Sequence, residues 1–129
     1  MTEKEFFDLL IERYSEVYEG DLQVDNLGYY LEYFLDKYPE ENLSLQITKK
    51  VAARILHEFM VNVLKWEDVE WGEAGKLRDI YDCRVCSNAI AQVYTRGIIG
   101  EAEPLVFGLD HVISEKEGTD IVYRFFQKA

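Results

Sequence analysis

Apolar residues recur at three- and four-residue spacing through most of the chain, the period of a helix that buries one face. Phe6, Leu10, Tyr14 and Val17 make the first such stripe, with Phe7, Ile11 and Tyr18 beside them. Thr2 and Glu5 stand three apart at its start, where each side chain can accept from the other's backbone N–H. Gly20 supplies a stop, so the spacing predicts a helix over 2–19. Leu27, Leu31, Phe34 and Tyr38 predict a second over 25–38, closed by Pro39. Ala52, Leu56, Phe59, Met60 and Val63 predict a third over 48–64. Residues 65–82 are mixed and predict one short helix around 73–80. Val85, Cys86, Ala89, Ile90 and Val93 predict a helix over 83–96, capped by Asp82 and ended by Gly97. Ile121, Val122 and Phe125 predict the last, over 114–127, opened by a Ser114–Glu117 capping box. Ile98, Ile99, Leu105, Val106 and Phe107 are apolar but never alternate for long enough to make a sheet. The expected class is all-α: one small domain over 1–129, with an N-terminal helical pair over 1–45 and a second unit over 46–129.

Composition narrows the function classes. Of 129 residues, 48% are hydrophobic and 30% charged, enough apolar surface for a packed core and too much for a disordered chain. Lys and Arg number 14 against 25 Asp and Glu, a net charge of −11. Phosphate backbones are held by clustered cations, so no nucleic-acid partner is expected. An acidic mimic of nucleic acid is compatible with the charge. No apolar run approaches the roughly 20 residues that span a bilayer. The start, Met1-Thr2-Glu3-Lys4-Glu5-Phe6, lacks a basic stretch followed by an apolar core. The expected address is the cytoplasm, without a membrane partner.

Residues with chemistry are few. Cys83 and Cys86 have the Cys-x-x-Cys spacing of a redox pair or half a metal site. A zinc site needs about four ligands, and only His57 and His111 remain, far away and not spaced as a pair. The cysteines are therefore read as free, metal-free and structural, with thiol redox chemistry as the alternative. His57 reads as a boundary residue and His111 as a turn residue. No glycine-rich phosphate loop and no local nucleophile–histidine signature occur, so no catalytic residue and no cofactor are expected. Aromatics are plentiful: nine Tyr, seven Phe and two Trp. Tyr29, Tyr30 and Tyr33 cannot all face one core and suggest a partner-binding face. Trp66 and Trp71 suggest a carbohydrate-stacking pair, with core packing as the alternative.

An ordered set of motifs over about residues 47–128 resembles an S-layer homology domain. Leu77-Arg78-Asp79-Ile80 matches the family's aromatic-or-aliphatic, any, Asp, Val-or-Ile opening. Val85 takes the place of the Trp that opens its helix, and Ala89-Ile90 match the following Ala-Ile pair. Gly97-Ile98-Ile99-Gly100 matches Gly-Ile-Ile and a second Gly, and Phe107 the Phe across the loop. Ile113-Ser114-Glu115-Lys116-Glu117 fills the slot of Ile-Thr-Arg-Ala-Glu, and Ile47-Thr48-Lys49-Lys50-Val51-Ala52-Ala53 resembles the same element of a preceding unit. With Val51 three residues after Thr48, only half of a capping box is expected there.

The resemblance implies a helix–loop–helix fold that anchors exported proteins to cell-wall polysaccharide, with the motif's Arg touching the ligand. Those two positions are Lys49, which keeps a charge but loses the planar donor fork, and Glu115, which reverses it. The expected function is therefore a non-catalytic module that binds a protein partner, or itself, through an acidic aromatic surface. Binding of an acidic glycan through Lys49, Trp66 and Trp71 is the family alternative, with a cell-surface address. Gly97, Gly100, Phe107, Ser114 and Glu117 are expected to be structural, with residues 97–114 as the organising turn. Lys49 is expected at the surface, where truncation changes stability by about 0.5 kcal/mol at most.

Overall fold

A computed structural model describes residues 1–17 and 44–128. The expected helix over 25–38, with Tyr29, Tyr30 and Tyr33, lies outside the described residues. The described residues are all-α. They comprise α1 (Glu3–Val17), α2 (Lys49–Asn62), α3 (Ser87–Thr95) and α4 (Glu115–Gln127), with 3-10 turns at Gly72–Lys76 and Arg84–Cys86. Extended pairing among them is confined to isolated bridges, Thr2 with Gln46, Thr48 with Val112 and Glu103 with Val106.

The helix starts show how local chemistry and tertiary contact divide the work. At α1 the Glu5 N–H donates to the Thr2 hydroxyl at 3.1 Å, and the Thr2 N–H donates to the Glu5 carboxylate at 2.9 Å. At α4 the Glu117 N–H donates to Ser114 Oγ at 3.2 Å, and the Ser114 N–H returns to Glu117 Oε1 at 3.3 Å. Both boxes stand as expected. At α2 not even half a box forms: Thr48 makes no capping bond and its Oγ1 is buried without a partner. The first N–H groups donate instead to loop carbonyls, Lys49 to His111 at 3.0 Å and Lys50 to Leu109 at 3.1 Å. A distant loop has replaced the side-chain cap.

Two more expectations are corrected. The short helix around 73–80 is a 3-10 turn at Gly72–Lys76. The helix over 83–96 begins as the Arg84–Cys86 turn, led by Cys83 rather than capped by Asp82.

α2 packs on α3, and α1 on α4. Phe59 of α2 lies at the junction, its ring 5.3 Å from Tyr14, 5.9 Å from Phe125 and 6.2 Å from Phe126. The 47–48 segment ties the ends together: the Ile47 N–H donates to the Met1 carbonyl and the Ile113 N–H to the Ile47 carbonyl, both at 2.9 Å. After α3 the chain turns at Gly97, φ +73°. The N–H groups of Ile98 and Ile99 then donate back to the Val93 carbonyl at 2.9 and 3.2 Å, and both side chains enter the core. A β-branched residue strains that conformation, so Gly97→Val is expected to lower stability by about 1–2 kcal/mol, read from the urea midpoint.

Candidate functional site

The sequence motifs meet in a knot under residues 97–114. Phe107 is fully buried. The Asp79 carboxylate accepts from the N–H of Phe107 at 2.9 Å and of Gly108 at 2.8 Å. Next to it, the Arg78 N–H donates to the Leu105 carbonyl at 2.8 Å. Gly108 has φ +86°, and a Cβ there would meet that of Ala102 at 2.8 Å. Lys49 reaches in from α2. Its Nζ donates to the Gly100 carbonyl at 2.6 Å and to the Phe107 carbonyl, and lies 4.5 Å from the Phe107 ring centroid.

Lys49 is therefore not the surface residue expected from sequence. It is only 6% exposed, and its ammonium is directed at main-chain carbonyls. Burial pulls its pKa below the usual lysine value, with Glu117, Asp79 and Glu101 opposing. On the outer side lies a cavity of about 450 Å³, where Glu101, His111, Glu117, Asp120 and Arg124 join Lys49. Its walls carry both signs of charge.

His111 pairs with Glu117 at 3.0 Å, and His57 with Asp68 at 2.8 Å. Burial pushes both carboxyls up, but hydrogen bonds outweigh it and leave them below their ordinary values. The bonds come from His111 and Ser114 to Glu117, and from His57 and Asn88 to Asp68. A depressed folded pKa gives stability above the unfolded value that is lost as pH falls through the folded one. Glu3, raised by burial, acts in the opposite sense. Thermal melts from pH 6 to 2.5 should show stability falling below the ordinary carboxylate range. The fall should be shallower in an Asp68→Asn/Glu117→Gln double variant. Both carboxylates are half exposed, so the difference will be small.

A second concavity, about 460 Å³, lies between Trp71, Tyr81, Arg84, Ser87 and Asn88. The Trp71 and Tyr81 rings are 6.1 Å apart, and Trp71 Nε1 donates to Asn88 Oδ1 at 3.0 Å. Gln92 fixes the approach to Trp71: its Nε2 donates to the Val69 carbonyl at 2.8 Å, and its Oε1 accepts from the Val69 N–H at 2.9 Å. Tyr81 is 64% exposed and Val85, beside Arg84, 77%. Glu67, Asp68, Glu70 and Glu73 are exposed on the flanking chain.

The three expected ligand residues are thus not brought together. Lys49 faces the knot and Trp71 the groove. Trp66 closes the core edge, 5.5 Å from Phe125 and with the Arg96 guanidinium 4.9 Å from its ring centroid. Tyr81, Arg84 and Asn88 escaped sequence reasoning because no spacing relates them to Trp71.

Cys83 and Cys86 form a disulfide rather than the two free thiols expected. The turn between them sets their Cα atoms 5.2 Å apart, within the range a disulfide spans. Among the described residues no group of three His, Cys, Asp or Glu is placed to hold a metal ion, and no helix is long and apolar enough to cross a membrane. Compared with protein-family models, curated proteins and solved structures, the chain shows no match.

Proposed function

We propose that this domain is a non-catalytic interaction module that docks a protein segment in the Trp71–Tyr81 groove. The observation that carries the reading is the largely exposed Tyr81 ring beside Trp71, over a concavity edged by Arg84 and Asn88. An amphipathic aromatic pair offers contact area at little entropic cost, the property that makes Tyr and Trp frequent binding anchors. The exposed carboxylates of Glu67 and Glu70 on the flanking chain favour a partner segment with an apolar anchor between basic residues. Such charge complementarity speeds encounter and weakens with salt.

The test is affinity purification with the full chain, comparing wild type with Tyr81→Ala at low and high salt. A stoichiometric protein retained by wild type, weakened by salt and lost with Tyr81→Ala supports the reading. Equal retention by both refutes it. Self-association through the same face would appear as a concentration-dependent dimer in sedimentation that Tyr81→Ala abolishes.

A glycan-binding reading has separate support. Residues from the motifs that resemble an S-layer homology unit, Lys49, Ile99, Gly100, Ile113 and Glu117, line one cavity. Sedimentation with purified cell-wall polysaccharide tests it. Binding that survives Tyr81→Ala but fails with Arg124→Ala would favour that cavity.

A further inference from the structure

We propose that the Cys83–Cys86 disulfide is a thiol–disulfide exchange site that accepts electrons from a cysteine-bearing protein segment seated beside Tyr81 and Val85. The proposal rests on the groove reading only for where that segment sits. The exchange itself depends on the sulfurs.

The two cysteines are unequal. Cys83 is partly buried at the edge of the core, whereas Cys86 is only 2% exposed and stands at the N-cap of α3. Of the two, Cys83 is the one an incoming thiolate reaches more readily. Asp82 precedes Cys83 and Arg84 follows it, both exposed, so neighbouring side-chain charge is balanced. Attack at Cys83 Sγ makes Cys86 Sγ the leaving group, and the nine-residue helix that follows directly on Cys86 favours it as an anion.

The turn does not need the covalent bond to keep its shape. The Cys86 N–H donates to the Cys83 carbonyl at 3.0 Å, and the Asp82 N–H to the Asp79 carbonyl at 3.0 Å. The buried Ser87 hydroxyl lies 2.6 Å from the Ile80 carbonyl and 3.1 Å from that of Cys83. A disulfide closing so short a loop removes little entropy from the unfolded chain. Reduction should therefore leave the fold standing, as reversible exchange requires. Close to the cysteines along the chain, Val85 and Tyr81 are among the most exposed apolar side chains of the described residues. They offer a protein substrate a contact that a small thiol would not use.

A partner thiolate attacks Cys83 Sγ and forms a mixed disulfide. The Sγ–Sγ bond breaks, its electron pair stays on Cys86 Sγ, and a proton from solvent can join it. A second partner thiolate then attacks the partner's sulfur in the mixed disulfide and releases Cys83 as a thiolate. The partner dithiol is oxidised by two electrons and the Cys83–Cys86 pair is reduced by two.

Two arms test this. In the first, the oxidised full chain is equilibrated with glutathione buffers and the thiol state read by mass spectrometry, with circular dichroism in parallel. Reversible reduction with an unchanged helical spectrum is expected. A bond that resists millimolar glutathione, or opens only when the spectrum collapses, overturns the proposal. Cys86→Ser with oxidised glutathione should gain an adduct at Cys83 at least tenfold faster than Cys83→Ser gains one at Cys86, and equal rates also overturn it. In the second arm a synthetic dithiol peptide with an apolar residue between its cysteines replaces glutathione. Tyr81→Ala should slow the peptide reaction several-fold and leave the glutathione reaction unchanged. Unchanged rates in both would refute the seating beside Tyr81 while the first arm still decides the exchange.

Discussion

Phe107→Ala is expected to cost about 3–5 kcal/mol, the range for emptying a buried phenylalanine site. The ring is fully buried and sits where three separate parts of the chain converge. Asp79 comes from before α3, Lys49 from α2, and Phe107 from the long connection into α4. The main-chain bonds from Phe107 and Gly108 to Asp79 do not need the ring, so the loop is not released outright. The loss should come from the cavity and from the ring's contact with the Lys49 ammonium. Urea denaturation of wild type, Phe107→Leu and Phe107→Ala should rank them in that order. An alanine variant with the wild-type midpoint would show that the knot does not organise the fold.

Lys49→Met is expected to destabilise by about 2–3 kcal/mol. Methionine keeps most of the stem but removes the donor that serves the Gly100 and Phe107 carbonyls. The buried Phe107 acceptor left unpaired costs about 1–3 kcal/mol and the part-buried Gly100 acceptor less, partly offset because no charge need then be desolvated. Lys50 is the comparison. It pairs with the exposed Asp110 at 2.7 Å, and Lys50→Met should change stability by about 0.5 kcal/mol at most. The same denaturation experiment separates them. Equal effects at positions 49 and 50 would mean that the inward bonds of Lys49 contribute nothing.

Several features were legible because their causes are local. Apolar residues at helical spacing located the cores of all four described helices. The Thr2–Glu5 and Ser114–Glu117 boxes marked starts within one residue, since the capping groups lie three positions apart in the chain itself. Gly97 was legible for the same reason: a helix exit with positive φ favours the residue without a Cβ. The burial of Ile98 and Ile99 followed from their apolar character beside that exit, and that of Phe107 from the motif the segment resembles.

Tertiary structure decided what depended on distant partners. Lys49 and Lys50 are adjacent and alike in sequence, yet one is buried on two carbonyls and the other lies near solvent. Only the arrival of residues 100 and 107 distinguishes them. The cap of α2 changed hands for a similar reason, because carbonyls at 109 and 111 reached its N–H groups. Trp66 and Trp71 share a residue type and a segment but were separated by what lies opposite, Phe125 for one and an open groove with Tyr81 for the other. The cysteine spacing allowed free thiols or a bond, and the backbone turn set the sulfurs within reach. Sequence by itself determined where the four described helices form and which faces they bury, because those depend on neighbours three and four residues away. The fold determined which polar side chains turn inward and which aromatics remain open to a partner, because those depend on residues tens of positions apart.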